Sequence, residues 1–239
     1  MRQSGPSGFR IGIDLGGTKT ETVALSPSGE VVAQERVPTI KGDYAATIST
    51  ISGLVNRTEA LIGQTCTVGI GMPGAASRDT GLVKNANSTW LIGKPLQKDL
   101  EDALSRPVRL QNDANCFAVS EAIDGAGKGA EIVFGVILGT GVGAGIAIRG
   151  TCLEGRNAIA GEWGHNPLPA PMDDERPGPL CYCGRHGCIE TFLSGPAFER
   201  QYAEAGGDEI TARDIEALAA AGNPRADAAL GKYEERLAR

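Results

Sequence analysis

The chain has 239 residues, enough for one or two domains; 41% of them are apolar and 22% are charged. This ordinary globular composition excludes wholesale disorder. The net charge of −6 comes without a basic block, which argues against a nucleic-acid partner, and no apolar run approaches the ~20 residues of a membrane helix.

The N-terminal residues are rich in Gly, Ser, Pro and Gln and lack the apolar stretch of a signal peptide. We therefore expect a disordered tail over residues 1–9 and a cytoplasmic protein. The 34 glycines, about twice the usual share, indicate many tight turns and close backbone approaches.

The first predicted elements are three short strands that form an antiparallel meander, with a Gly-rich turn at 15–19 between the first two. These strands lie at 11–14, 20–25 and 30–37. Apolar residues at helical spacing then predict a helix over 44–62, with Asp43 as its N-cap.

Strands and helices alternate beyond this helix, as they do in α/β folds. The predicted strands lie at 67–71 and 108–110, and the predicted helices at 95–104, at 114–123 and from 224 onwards.

The opening of the chain repeats itself. Residues 11–25 align without a gap on residues 134–148, and each stretch reads as an apolar strand, a Gly-rich turn and a second apolar strand. We interpret this match as an internal duplication, although any two hairpins with Gly turns share some of these features.

Two Gly-rich turns can hold a polyphosphate, because glycine lets backbone N–H groups approach anionic oxygens. Neither turn is the G-x-x-x-x-G-K-[ST] loop, and each precedes a strand rather than the helix of a dinucleotide fingerprint. This leaves a two-lobed α/β arrangement of the actin-like, ribonuclease-H-like ATPase class, with lobes at 10–113 and 114–239. The residues assigned to the nucleotide site are Gly12, Ile13, Asp14, Leu15, Gly16, Gly17, Thr18, Lys19, Gly139, Thr140, Gly141, Val142, Gly143, Ala144, Gly145 and Ile146.

Three of the six cysteines fall within eight residues of one another. Cys181, Cys183 and Cys188, together with His165, offer the three thiolates and one imidazole of a closed tetrahedral zinc site. Four protein ligands leave no open position, so the metal would be structural. The alternative is three buried free thiols in a Gly-rich loop.

Several polar residues are candidates for chemistry, each with a simpler alternative. Asp113 follows a strand and precedes a helix, where it serves either as a general base or as an N-cap. Asp14 and Lys19 border the first glycine turn and could meet Mg²⁺ and a phosphate, or could be a turn residue and an exposed lysine. Glu162 and Glu190 flank the cysteine loop, where they hold ligand hydroxyls or are surface charges.

Five motifs together resemble the ROK family of sugar kinases and repressors, and the resemblance runs from Ile11 to the end of the chain. The motifs are DLGGTK at 14–19, NDANC at 112–116, LGTGVG at 138–143, GEWGH at 161–165 and CYCGRHGCIE at 181–190.

The resemblance implies ATP as phosphoryl donor, Mg²⁺ as cofactor, a structural Zn²⁺ and a small-molecule hexose as acceptor. It implies that Asp113 is the general base, and it places other residues on the sugar: Asn112, Glu162, His165 and Glu190, with Asn87 as a further candidate. Oligomeric state stays open, with a homodimer as one possibility.

The KNANSTWL stretch at 84–91 and the residues around His165 look like the fructokinase branch of the family. We therefore expect transfer of the γ-phosphoryl of ATP to the 6-hydroxyl of fructose. The alternatives are an N-acetylglucosamine or glucose kinase, and a non-catalytic sugar-binding or repressor-type protein of the family, which binds a sugar without phosphorylating it.

Members of the family normally continue with a Gly-rich strand–turn near the adenosine, whereas this chain stops inside the helix predicted from 224. We therefore expect a fold whose C-terminal part is missing and a chain with weak affinity for ATP.

Overall fold

The computed structural model describes residues 8–239, so residues 1–7 of the expected tail lie outside the described residues. Phe9, at the end of that expected tail, is instead anchored. It packs against the first hydrophobic core, and its carbonyl accepts a 3.2 Å hydrogen bond from the Thr67 N–H.

The chain divides into two compact units. The first reaches Cys116 and also takes in Glu154–Ile159, and the second comprises Phe117–Leu153 and Ala160–Arg239. The division after Cys116 falls in the first turn of a helix close to the expected boundary, whereas the return of Glu154–Ile159 to the first unit has no local signal in the sequence.

Strands of the first unit form a five-stranded sheet in the order β3-β2-β1-β4-β7 and a small β5–β6 pair. Their bounds are β1 Arg10–Leu15, β2 Lys19–Leu25, β3 Val31–Pro38, β4 Thr67–Met72, β5 Ala75–Ala76, β6 Val83–Lys84 and β7 Val108–Asn112. The antiparallel β1–β2–β3 meander is confirmed, and β1, β4 and β7 run parallel.

Helix α1 (Tyr44–Ile62) has the predicted bounds, because Asp43 accepts a hydrogen bond from the Ala46 N–H and Gly63 ends the helix in the left-handed region. Helices α2 (Leu96–Leu104) and α3 (Asp113–Ile123) follow, with a 3₁₀ turn at Thr89–Leu91 before α2. Buried aliphatic residues of the sheet and of α1 and α2 make the first core.

The second unit contains most of α3, the antiparallel sheet β10-β9-β8 and four further helices. Their bounds are β8 Ile132–Leu138, β9 Val142–Ile148, β10 Thr151–Cys152, α4 Glu190–Leu193, α5 Gly195–Glu204, α6 Ala212–Ala220 and α7 Pro224–Ala238, with 3₁₀ turns at Trp163–His165 and Asp173–Glu175. One buried cluster joins β9 to α4, and another joins α5, α6 and α7.

The two glycine hairpins have nearly the same strand bounds, with β8 one residue longer than β1 at its start, but they differ in pairing. Leu15 pairs with Thr20, whereas Leu138, its aligned equivalent, pairs with Val142. The second turn is therefore one residue tighter than the first, which an ungapped alignment of the two sequences does not reveal.

Over residues 8–239, none of the helices combines the length and apolar character needed to cross a membrane.

Candidate functional site

Two carboxylates of the first unit lie at the same edge of the sheet. Asp14 is near the end of β1 and Asp113 directly follows β7, and both strands run parallel to the β4 strand between them. Desolvation raises the pKa of the Asp113 carboxyl, and the negative charge of Asp14 raises it further. Desolvation likewise raises the pKa of Asp14, followed by the charge of Glu21. Two partly buried carboxyl groups with raised pKa values therefore lie at this end of the sheet.

Hydrogen bonds at the corner between β7 and α3 show which residue caps α3. Asn112 Oδ1 accepts from the Asn115 N–H at 3.1 Å, and Asn112 Nδ2 donates to the Gly74 carbonyl at 3.0 Å. The capping role therefore falls to Asn112. Asp113 begins the helix, and its carboxylate accepts a 2.8 Å hydrogen bond from the Ala114 N–H. Hydrogen bonds from the Ala114 and Asp113 backbone and from the Asn112 side chain partly offset the rise in its pKa.

Of the two glycines near this corner, only Gly74 is required for a close approach of the chain, since a Cβ at Gly71 would make ordinary van der Waals contacts. A Cβ at Gly71 would lie 3.9 Å from the Asp113 Cα and 3.7 Å from the Ile13 carbonyl. Gly74 has a φ of +76°, and a Cβ there would lie 2.4 Å from the Lys84 carbonyl. A side chain at Gly74 would therefore displace the loop that holds Asn112.

The first glycine turn is closed by a 3.0 Å hydrogen bond from the Gly16 N–H to the Lys19 carbonyl. Thr39 Oγ1 donates to the Gly16 carbonyl at 2.9 Å, while Thr18 and Lys19 are exposed. Gly17 faces Ser88, since a Cβ at Gly17 would lie 3.6 Å from Ser88 Oγ.

The structure narrows the residues of the first hairpin that can meet a nucleotide. Gly12, Ile13 and Leu15 are paired within the sheet, and the side chains of Ile13 and Leu15 belong to the core. Contacts with phosphate would therefore come from Asp14 and from Gly16 to Lys19. Asn87 is exposed in the bend before the 3₁₀ turn, next to the buried Ser88.

The second glycine turn is closed by a 3.0 Å hydrogen bond from the Gly139 N–H to the Gly141 carbonyl, and its Thr140 is exposed. The other nucleotide candidates of this hairpin, Ala144, Gly145 and Ile146, lie inside β9 and pair with β8. Only the turn and the start of β9 present backbone groups outside the ladder of strand hydrogen bonds.

The predicted zinc ligands come together in the second unit. The ligand atoms of His165, Cys181, Cys183 and Cys188 all lie within 4.8 Å of one another. Cys181 Sγ is 3.5 Å from His165 Nδ1, and Cys183 Sγ is 3.6 Å from Cys188 Sγ.

These separations fit a tetrahedral metal. With Zn–S bonds of about 2.3 Å, two ligands of a tetrahedron lie about 3.8 Å apart. Burial raises the pKa of the Cys181 and Cys188 thiols, whereas the backbone N–H of Arg185 lowers the pKa of Cys183. A bound cation would favour the thiolate at all three positions. The donor set suits Zn²⁺, which remains a proposal.

Glycines of the GEWGH motif bring its backbone directly onto β9. A Cβ at Gly161 would lie 1.9 Å from the Ala144 carbonyl, and one at Gly164 would lie 2.1 Å from the Val142 carbonyl. Trp163 Nε1 also donates to the Gly143 carbonyl at 3.0 Å. His165 is thus held at a fixed place beside the second glycine turn.

The outer nitrogen of His165 already binds a hydroxyl group. Its Nε2 lies 2.9 Å from the Tyr182 hydroxyl, while its Nδ1 faces the thiols. Burial raises the pKa of Tyr182 to about 12, and the charges of Glu190 and Glu162 also contribute. A hydroxyl group can therefore bind the outer nitrogen of His165, which is one of the residues expected to hold the sugar.

Two contacts, one within each unit, were missed from the sequence. Glu190 Oε2 accepts a 2.9 Å hydrogen bond from the Val142 N–H, and Glu154 accepts one of 2.7 Å from Gln111. The partners are 48 and 43 residues apart. No local sequence pattern predicts hydrogen bonds between residues so far apart in the chain.

A mixed α/β fold with two glycine-turn hairpins, a carboxylate edge and a Cys₃His loop defines a protein of the sugar-kinase fold class. The sequence profile of the ROK family matches residues 10–239, and the chain belongs to this family.

Similar proteins include an N-acetyl-D-glucosamine kinase of Vibrio cholerae, which is 43% identical over 231 residues; the match covers 95% of this chain and 76% of the relative. Among solved structures, a ROK hexokinase from Thermus thermophilus matches with a TM-score of 0.81 and 30% identity, over 95% of this chain and 74% of that one. A ROK glucokinase from Streptomyces griseus, in complex with glucose and AMPPNP, matches with a TM-score of 0.73 and 29% identity, over 96% and 76% of the two chains.

Proposed function

We propose that the chain is an ATP-dependent hexose kinase whose acceptor is N-acetylglucosamine. The observation that carries the chemistry is the position of Asp113, which directly follows β7 at the same end of the sheet as Asp14 and has a raised pKa. The choice of acceptor is supported by the 43% identity with an N-acetyl-D-glucosamine kinase.

Asp113 would accept the proton of a sugar hydroxyl as the hydroxyl oxygen forms its bond to the γ-phosphorus of ATP. The bond between that phosphorus and the β–γ bridging oxygen breaks, and ADP leaves. Because desolvation and the charge of Asp14 raise its pKa, Asp113 would be a stronger base than an ordinary carboxylate.

Phosphate groups would be met by the two glycine turns and by Lys19, which is exposed beside the first turn. Asp14 would hold Mg²⁺, directly or through water, and the metal would neutralise charge on the phosphates. Thr18 and Thr140 add exposed hydroxyl groups.

Sugar hydroxyls would be held by Glu162, His165 and Glu190 in the second unit. Carboxylates at such positions discriminate by hydrogen bonds, since a site built for a hydroxyl rejects an analogue that lacks it. In the first unit, Asn112 already uses its Oδ1 for capping and its Nδ2 for the Gly74 carbonyl, so a sugar would share these groups. Asn87 stays a further candidate.

Zn²⁺ at the Cys₃His set would supply structural order to residues 181–188 and fix the tautomer of His165. With Nδ1 facing the metal, the imidazole would carry its proton on Nε2 and donate it to a sugar oxygen.

The sequence alone favoured fructose on the strength of residues 84–91 and the surroundings of His165. The relatives favour the N-acetylglucosamine alternative. We therefore rank N-acetylglucosamine first, glucose second and fructose third.

A panel of hexoses with ATP and Mg²⁺ tests the proposal. We expect ADP release to be fastest with N-acetylglucosamine, and Asp113→Asn to lower turnover by about 10² or more with sugar affinity nearly unchanged. Sugar binding by calorimetry without ADP release would point instead to a sugar sensor. Fastest turnover of fructose would reverse the ranking.

A further inference from the structure

Both ends of the second glycine turn are hydrogen-bonded to one short segment of the chain. The Gly139 carbonyl accepts a 2.8 Å hydrogen bond from the Gly195 N–H. Across the turn, the Val142 N–H donates to Glu190 Oε2 at 2.9 Å. Glu190 begins α4 and Gly195 begins α5. Both hydrogen bonds to the turn therefore come from α4 and its junction with α5.

This segment starts immediately after a metal ligand. The Cys188 carbonyl accepts from the Thr191 N–H at 2.9 Å and from Thr191 Oγ1 at 2.7 Å, which ties α4 to the cysteine. Phe192 and Leu193 are buried in the same cluster as Val142. Movement of Cys188 would therefore be transmitted to the turn by rigid, packed neighbours.

Gly141 leaves room for the carboxylate of Glu190. A Cβ at Gly141 would lie 2.8 Å from Glu190 Oε2. Since that approach is too short for a carbon and an oxygen, a side chain at position 141 would push the carboxylate away from its place beside the Val142 N–H.

The fourth ligand is attached to the same turn from its other side. His165 closes the 3₁₀ turn that starts at Trp163, and Trp163 Nε1 donates to the Gly143 carbonyl. Cys188 and His165 are thus each linked to the start of β9, by way of Glu190 and Trp163 respectively.

We propose that Glu190 is a positioning residue that couples metal occupancy of the Cys₃His site to the conformation of the second glycine turn. A metal such as Zn²⁺ would fix residues 181–188 and so orient α4. The carboxylate of Glu190 would then hold the Val142 amide. The inference deepens the proposed function, because that turn is expected to meet the phosphates of ATP, but the coupling itself belongs to the protein with metal alone.

Hydrogen exchange of the full chain, read by mass spectrometry over residues 136–144 with and without Zn²⁺, tests the coupling. We expect Zn²⁺ to slow exchange at the turn by about tenfold, which corresponds to one hydrogen bond to a charged group. Glu190→Ala should bind Zn²⁺ with the same stoichiometry and lose this metal-dependent protection.

Two variants separate positioning from a general loss of structure. Glu190→Gln should keep most of the protection, because its amide oxygen can still accept from the Val142 N–H. Glu204→Gln, an exposed carboxylate of α5 that lies 3.7 Å from Arg200, should match the wild type. If Glu190→Ala does not fold, Gly141→Ala offers the same test, since its methyl group displaces the carboxylate.

Three results would overturn the coupling: no Zn²⁺ bound to the wild type, equal exchange with and without Zn²⁺, or full metal-dependent protection in both Glu190→Ala and Gly141→Ala. None of these measurements involves sugar or ATP. A chain that shows the coupling but phosphorylates no hexose would retain this inference and lose the proposed function.

Discussion

Gln111 Nε2 donates a 2.7 Å hydrogen bond to Glu154 Oε1, and this pair supports the candidate base. With its own Oε1, Gln111 accepts from the Asn112 N–H at 2.8 Å and from Asn115 Nδ2 at 3.0 Å. Hydrogen bonds from Arg78 and then Gln111 lower the pKa of Glu154. An ionised carboxylate therefore anchors a chain of hydrogen bonds that ends at the residues around Asp113.

The first prediction concerns this series of hydrogen bonds from Glu154 to the residues around Asp113. Glu154→Ala should free the Gln111 side chain and loosen the corner between β7 and α3. Because small displacements of a catalytic group lower the reaction rate strongly, kcat should fall by about tenfold. Steady-state kinetics would show the loss. Glu131→Ala removes an exposed ion pair with Arg149 in the second unit and should leave kcat unchanged. Equal kcat in both variants would remove Glu154 from the supporting network.

The second prediction concerns the metal. We expect one zinc ion per chain after dialysis against a weak chelator. Cys183→Ser should lose the metal and disorder residues 180–190, since forming such a site and folding its loop are coupled. Cys66→Ser is the matched control, because Cys66 lies in the first core and is not one of the four clustered ligands. Elemental analysis and hydrogen exchange of the loop measure both effects. Folded wild-type protein with almost no zinc would contradict the site.

The third prediction concerns pH. Because desolvation and the charge of Asp14 both raise the pKa of Asp113, the acid limb of kcat/KM should lie above the ordinary carboxyl value of 3.8. Asp14→Asn removes one of the two causes, so the pKa of Asp113 should fall. Carbon-13 NMR of the carboxyl groups, assigned with Asp113→Asn, measures this shift without requiring activity. An upward shift or no shift would show that the two carboxylates are not coupled.

Much of the fold was predictable because local signals determine it. The bounds of α1 follow from Asp43 and Gly63, and the bounds of both glycine hairpins follow from the alternation of apolar residues around their turns. The two-residue strands were missed because they are too short to show a period. Helix α6 was also missed, although Thr211 and Asp214 form a readable capping box before it.

The residues of the candidate site were predictable from the sequence, but the contacts that hold them in place were not. The four metal ligands were identified because three are close in sequence, and they do converge. Asn112 and Asp113 are adjacent, so sequence alone could not say which of them caps α3. The contact of Glu190 with Val142 depends on how α4 packs against β9, which no local pattern encodes.

A buried ion cluster ties the C-terminal helix to the rest of the second unit. The Glu175 side chain is 1% exposed and accepts from Arg236 Nε at 2.7 Å, from Arg239 Nη1 and Nη2 at 3.0 Å each, and from the Met172 N–H at 2.8 Å. The Arg236 guanidinium also lies 5.0 Å from the centre of the Phe192 ring, at α4. Burial alone would raise the pKa of Glu175, but the hydrogen bonds from Arg239 and Arg236 outweigh it and bring the pKa down to about 2.

The fourth prediction follows from this lowered pKa. Relative to an unfolded value of 4.5, a folded pKa of about 2 means that the ionised carboxylate stabilises the fold above pH 4.5. This contribution, at most about 3 kcal/mol, is lost as the pH falls from 4.5 through 2. Urea unfolding at pH 7 and pH 3 should show a drop in the free energy of unfolding that is smaller in Glu175→Gln.

At pH 7, Glu175→Gln should itself cost about 3 kcal/mol, because it leaves the buried Arg236 without its counter-charge. The neighbouring Asp174→Asn breaks only an exposed ion pair with Lys232, in which the Asp174 side chain is 66% exposed and the Lys232 side chain 48% exposed. This substitution should lower the free energy of unfolding by less than about 1 kcal/mol. The two substitutions remove the same charge from adjacent residues, so burial is the variable that differs between them. If Asp174→Asn destabilised the protein as much as Glu175→Gln, the C-terminal helix would not depend on the buried cluster.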